Sequence, residues 1–278
     1  MAMSNIHLTA GMRSNLISMQ NTAKLMDSTQ SKLASGLKVQ SALDDPINFF
    51  TAQEHRNRAS DLESRKDAMS EAVHTVKAAN NGIEGLTDLL AQAKSLAQSA
   101  RSADSTDALQ FASQYNEVAS QMTTLAEDSG YKGINLLNGT TEELAVYFDA
   151  DGDNSITLNC FNGTSGGLTI SDVGSSWTSS ATETCTTAID NALTAIDNAN
   201  SELRTKSKIL SSKLNIITTR DEWATNMVNT LEEGADKLTL ADMNEEGANM
   251  MMLQTRQQLG TTSLSIASQA AQAVLRLF

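Results

Sequence analysis

The residues with the clearest chemical potential lie in one short stretch, Asp149-Ala-Asp-Gly-Asp-Asn-Ser-Ile156. Oxygen ligands at its first, third and fifth positions and an apolar residue at its eighth match the first half of a calcium-binding loop. The second half fails: the twelfth position, which needs a bidentate carboxylate, is Cys160, and the sixth is Asn154 in place of glycine. Asp, Asn and Gly also build ordinary acidic turns, and that is the favoured reading of Asp149, Asp151 and Asp153. His7, His55 and His74 lie far apart, with no ligand type at i+4. No His-Glu-x-x-His, phosphate loop or dinucleotide fingerprint is present, so the sequence offers no catalytic residue, cofactor site or metal centre. Cys160 and Cys185 would stay thiols in a reducing compartment and could form one disulfide in an oxidising one. Asn138-Gly-Thr140 and Asn162-Gly-Thr164 fit a glycosylation sequon but read more simply as turns. The Ser/Thr cluster over 175–187 is either a solvated loop or an O-glycan acceptor.

Composition narrows the function classes further. The 278 residues carry 20 Lys and Arg against 33 Asp and Glu, a net charge of −13, and include one proline, Pro46. Average usage would give roughly 14 prolines, and their near absence permits long uninterrupted helices. An acidic chain with few aromatics is a poor ligand for phosphate backbones or stacked bases, so no nucleic-acid partner is expected. No apolar run reaches the ~18–20 residues that span a bilayer. Met1–Gln20 lacks the continuous apolar core of a cleaved secretory signal. Residues 1–40 hold four bases and one acid, and 241–278 are nearly neutral, so the negative charge sits in the middle of the chain. Neutral ends and an acidic middle suggest ends that are buried and a middle that faces water.

The elements that would position any site are helices. Met12, Met19, Met26 and Leu33 fall seven apart, with Leu16 and Ala23 offset by four. Leu62, Met69, Val76, Ile83, Leu90 and Ala97 form a longer file, with Ala72, Ala79, Leu86, Ala93 and Ala100 beside it. These are the two files of a coiled-coil seam, ~58 Å long at 1.5 Å per residue. Asp104 or Ser105 caps a third block, Ala108–Leu125, which ends near Gly130. Ile189, Ile196, Leu203, Leu210, Ile217, Ala224 and Leu231 mark a fourth helix, and Met252, Leu259, Ile266 and Ala273 a fifth. Between the third and fourth, Leu144–Phe148, Ile156–Leu158 and Gly167–Ile170 read as short strands separated by turns. The fold class is mainly α, with long heptad-patterned helices from both chain ends and a small β-rich insert. Apolar stripes at the two ends could close on each other within the chain or on other chains, and periodicity alone leaves both open.

Particular residues then carry a resemblance. Ser31-Lys-Leu-Ala-Ser-Gly-Leu-Lys-Val-Gln-Ser-Ala-Leu-Asp-Asp45, the tail from Ala241-Asp-Met-Asn-Glu-Glu-Gly247 through Leu253–Gly260 to Leu264–Phe278, and Gly130-Tyr-Lys-Gly-Ile-Asn-Leu-Leu-Asn-Gly139 resemble the signatures of bacterial flagellins. The likeness covers both arms and leaves the insert unmatched. It implies a subunit that polymerises into the extracellular flagellar filament for motility, exported through the type III apparatus without a cleaved signal peptide. The terminal helices would order on assembly into an inner coiled coil, and the insert would project outward. The implied organisation is an inner-core helix at 1–40, outer-core helices with their linker at 41–137, a surface insert at 138–187, an outer-core helix at 188–236 and an inner-core helix at 237–278.

The implied partners are other copies of the chain and other flagellins, a secretion chaperone, and the filament cap and junction proteins. The implied polymerisation interface is Met12, Leu16, Met19, Ala23, Met26, Leu33, Met252, Leu259, Leu264, Ile266, Ala271, Val274 and Phe278. Two alternatives are a hook-filament junction protein and a non-flagellar coiled-coil scaffold. Pro46 departs from the usual Ala. Leu90-Ala-Gln-Ala-Lys-Ser-Leu-Ala97 replaces the Arg, Arg and Glu of the enteric receptor-binding segment with Gln92, Lys94 and Ser95, which implies weak or absent Toll-like receptor recognition.

Overall fold

The computed structural model describes residues 10–139, 143–149, 151–174, 176–177 and 183–275. Along the chain run α1 (Ala10–Ser35), α2 (Pro46–Ser102), α3 (Ser105–Asp128), β1 (Leu144–Tyr147), β2 (Ser155–Leu158), α4 (Glu183–Thr239) and α5 (Met243–Leu275). The chain divides at 57/58 and 229/230 into two compact units.

In the unit of residues 58–229, heptad periodicity becomes burial. Met69, Val76, Leu90, Ala97, Ile189, Leu203 and Ile217 are fully or almost fully covered. The facing stretches of α2 and α4 run antiparallel, tied by Lys94–Asp197 at 2.6 Å and Arg101–Asp190 at 2.9 Å. Asp104 caps α3 by accepting from the amides of Thr106 and Asp107. The helix ends at Asp128 with Ser129 as its C-cap, one residue before the expected Gly130. Gly82 and Gly85 let α3 and its exit approach α2. A Cβ at Gly82 would lie 2.3 Å from Ser129 Oγ and 2.6 Å from Leu137 Cδ1, and one at Gly85 would lie 2.9 Å from Leu125.

The insert departs from expectation in one strand. Two strands form, pairing antiparallel from Leu144↔Leu158 to Tyr147↔Ser155, but the third expected strand, Gly167–Ile170, is a turn. Leu168 N donates to Thr164 O and Ile170 N to Ser165 O. Gly167 lies so close to Asn162 that a Cβ would meet it at 2.3 Å, and Thr169 takes φ +57°. An extended chain does not fit there. The insert lies on the helices. Val146, Phe148, Leu158, Phe161, Leu168, Ile170 and Trp177 join the core built by α2, α3 and α4. A two-stranded ribbon cannot bury a core of its own, so it borrows one. Lys206, Lys213 and Arg220, seven apart on α4, seat it: Lys206 over the Phe161 ring, Lys213 donating to Thr157 O, Arg220 over the Phe148 ring.

In the unit of residues 1–57 and 230–278, two chain breaks lie side by side. Gly36, at φ +72°, ends α1, and its carbonyl accepts from Ala241 N at 2.9 Å, while Lys38 N donates to Thr239 O at 2.8 Å. Asp44 folds the following turn by accepting from Gln40 N, Ser41 N and Ser41 Oγ. Asp45 Oδ1 then accepts from Asn48 N, and Pro46 opens α2, where its fixed φ suits a first turn.

Candidate assembly surface

The terminal arms form an antiparallel pair. Asp242 Oδ1 accepts from the amides of Asn244 and Glu245, and Glu245 and Glu246 lie at the positive end of α5. Lys32 reaches Glu246 at 3.3 Å, and farther along Met19 packs on Gly260, where a Cβ would lie 2.9 Å from Met19 Cγ. Yet the α1–α5 seam is thin. Among the described residues, those buried in it are Thr22 and Thr29 on α1 and Leu253 on α5. Thr22 spends its hydroxyl on Ser18 O within its own helix.

The structure splits the residues expected to drive polymerisation into two groups. Met12, Met19, Ala23, Met26, Leu33 and Leu264 are half-buried, and Met19 packs against α5 of the same chain. Met252, Leu259 and Ile266 are 52%, 66% and 61% exposed, and Leu16 is also exposed. Seven apart, those three α5 residues make one bare apolar file. Arg256 stands between Met252 and Leu259, and no further charge follows before Arg276. Phe278 and the side chains of Ala271 and Val274 lie outside what the structure describes. Sequence reasoning missed Leu253 and Gly260, whose roles depend on a register that only the paired helices define. It also missed Leu43, Ile47 and Phe50, exposed apolar groups on the first linker and the start of α2.

No disulfide joins Cys160 and Cys185 in the structure. Cys185 is buried, and Cys160 Sγ donates to Asn135 O at 3.5 Å. Asp149, Asp151 and Asp153 sit in the turn of the β1–β2 hairpin, where Gly152 N donates to Asp149 O and Phe148 N to Asn154 O. Among the described residues no group of three metal-capable side chains converges. Lys94 is paired with Asp197, while Gln92 and Ser95 line a cleft between α2 and α3. Backbone amides of Ser41 and Gln40 hold the Asp44 carboxyl below its ordinary range. Burial pushes the Tyr115 hydroxyl, its ring tilted against Trp177 with centroids 5.1 Å apart, up to about 12.

Long antiparallel helices in each unit, with a small insert lying on α2, α3 and α4 of one of them, define a structural helical-arm protein. Residues 7–142 match the bacterial flagellin N-terminal helical region, and residues 186–278 match the bacterial flagellin C-terminal helical region. Flagellin FljO of Caulobacter vibrioides is 28% identical across 100% of both chains, and a flagellin of Brucella melitensis is 26% identical across 95% of both. The structure of a putative flagellar hook-associated protein from Vibrio parahaemolyticus covers 71% of this chain and 100% of its own. Its TM-score is 0.59 at 10% identity, a likeness of fold alone. The chain belongs to the bacterial flagellin family. It is a structural subunit of the flagellar filament, which its family builds outside the cell.

Proposed function

We propose that the bare α5 file of Met252, Leu259 and Ile266 is the surface that filament assembly covers, with Leu16 on α1 contributing. Met12, Met19, Ala23, Met26, Leu33 and Leu264 then hold the two arms together as the element being added. The observation that carries this reading is the exposure of three large apolar side chains at a strict seven-residue spacing. Three buried residues across the α1–α5 seam among the described ones supply little against an ordering cost of about 1–2 kcal/mol per residue, so arms that pair weakly until assembly covers them fit the burial pattern. The role is packing without catalysis.

Export through the type III apparatus without a cleaved signal peptide belongs to the same reading. So do a chaperone that covers the C-terminal arm before export, and the cap and junction proteins at the filament's ends. Recognition by Toll-like receptors is weak, since Lys94 is committed to Asp197 and Gln92 and Ser95 carry no charge. Reporter cells responding as strongly as to an enteric flagellin would refute that point. Negative-stain microscopy of the full chain beside a chain lacking residues 241–278 tests the whole: filaments from the intact chain alone are expected. Filaments from the shortened chain would overturn it.

A further inference from the structure

The sulfur of this chain is divided by unit. Of the 12 methionines, Met69, Met122 and Met227 lie in residues 58–229 with both cysteines, and the other nine lie in the shorter unit that holds the arms. Met69 and Met122 are fully buried. On the arms the thioethers are open to solvent in different degrees. Met12, Met19, Met26 and Met250 are half-buried. The Met19 side chain lies against α5, where a Cβ at Gly260 would stand 3.5 Å from its sulfur. Met243, Met251 and Met252 are 49%, 66% and 52% exposed. These last three differ in where they stand. Met252 belongs to the bare file of Leu259 and Ile266. Met251 is turned about 100° from it around the helix, and Met243 lies about two and a half turns earlier, on the opposite side.

We propose that Met252 is an oxidation site that gates assembly: a peroxide converts its thioether to the sulfoxide in the separate chain, and the sulfoxide bars that chain from the filament. The sulfur lone pair forms the new S–O bond as the peroxide O–O bond breaks. The proton on the transferred oxygen passes to the departing hydroxide, which leaves as water, so sulfur loses two electrons and the peroxide gains them. A flexible apolar side chain becomes a polar one whose oxygen accepts hydrogen bonds. The next members of its file, Leu259 and Ile266, have no donor to offer, so covering the sulfoxide leaves a polar group without a partner. In the filament the same sulfur is covered and protected. The oxidant therefore stops the addition of new copies and spares those already placed. The proposal rests on the α5 reading and adds a chemical control to it.

The test treats the full chain with limiting hydrogen peroxide, then with dithiothreitol to reverse thiol oxidation at Cys160 and Cys185. Peptide mass spectrometry reads the oxygen gained at each methionine, and the critical concentration for elongation is measured after nucleation with ammonium sulfate. As Met252 gains one oxygen, the critical concentration rises about tenfold or more, with an unchanged melting temperature. Methionine sulfoxide reductases for both epimers return it to the untreated value. Each variant is then compared with its own untreated sample. Met252→Leu shows no rise on treatment, while Met243→Leu and Met251→Leu rise as the parent does. Met252→Gln, a polar uncharged stand-in for the sulfoxide, raises the critical concentration without oxidant. A rise that persists in Met252→Leu would overturn the proposal, as would a chain fully oxidised at Met252 that elongates like the untreated one. Ile266→Glu reports on α5 independently. If it stops elongation while the oxidised chain assembles normally, the oxidation site falls and the α5 reading stands; if it assembles normally itself, the α5 reading falls, and the proposal with it.

Discussion

Truncating the bare α5 file separates assembly from folding. Leu259 and Ile266 are 66% and 61% exposed, so each offers roughly 120 Å² of mostly apolar surface, worth at most about 3 kcal/mol at ~25 cal/mol per Å². Cutting either back to Ala forfeits about two-thirds of that, roughly 2 kcal/mol, or about a thirtyfold rise in critical concentration. Neither side chain is buried in the separate chain, so the melting temperature of Leu259→Ala and Ile266→Ala stays within experimental error of the parent. Leu264→Ala gives the contrast: this half-buried residue lies off the bare file, and its loss loosens the arms as well as weakening assembly. The assay is pelleting of filaments across a concentration series, with circular dichroism melts of the same samples. Leu259→Ala polymerising at the parental critical concentration would refute the reasoning. So would a melt lowered as far as that of Leu264→Ala, because it would place Leu259 in the fold.

Other consequences follow from single contacts. Gly82→Ala gains up to ~1 kcal/mol of helix propensity but drives a Cβ into Ser129 and buried Leu137, a cost of typically 1–3 kcal/mol, so denaturant titration shows net destabilisation. Gly11→Ala, with nothing within 4 Å, shows no such penalty. Tyr115 holds its proton to about 12 when folded, against an ordinary value of 10. The folded state therefore binds more protons than the unfolded one between those values, and stability falls as pH rises through that window; ultraviolet titration showing Tyr115 ionised near pH 10 in the folded chain would contradict this. For Asp44 the sign is reversed. Its folded value lies below the ordinary 3.8, so the turn it braces is stable above that pH and released as pH falls through the lower folded value. The amide shifts of Gln40 and Ser41 report the release, and Asp44→Ala abolishes their pH dependence.

The outer helices were legible because their heptads were unambiguous. Leu62 to Ala97 and Ile189 to Ala224 alternate with charged positions, so a single face of each helix could be buried, and it is. The arms were not legible to the same depth. α5 is uncharged from Gln257 onward, so Leu264 and Ile266 fit an apolar file equally well, and only the register against Met19 puts one toward α1 and leaves the other bare. Gly167–Ile170 read as a strand from its Leu, Thr and Ile. The side chain and carbonyl of Asn162, which crowd Gly167, belong to a tertiary approach that local sequence does not record. The insert's place on the helices likewise depended on Lys206, Lys213 and Arg220. In the fold Lys206 and Arg220 lie over aromatic rings and Lys213 donates to Thr157 O, contacts that local sequence does not record.

Methionine oxidation tests the central claim most directly, because the chain carries its own probes. Met252 lies in the bare file, Met251 beside it is also exposed, and Met69 and Met122 are fully buried in the outer helices. Limited peroxide treatment of the separate chain and of assembled filaments, read by peptide mass spectrometry, compares the two states residue by residue. The account predicts fast oxidation of Met252 in the separate chain, strong protection of it in filaments, and slow oxidation of Met69 and Met122 in both. Met252 oxidising as fast in filaments as in the separate chain would contradict the claim that assembly covers this face of α5.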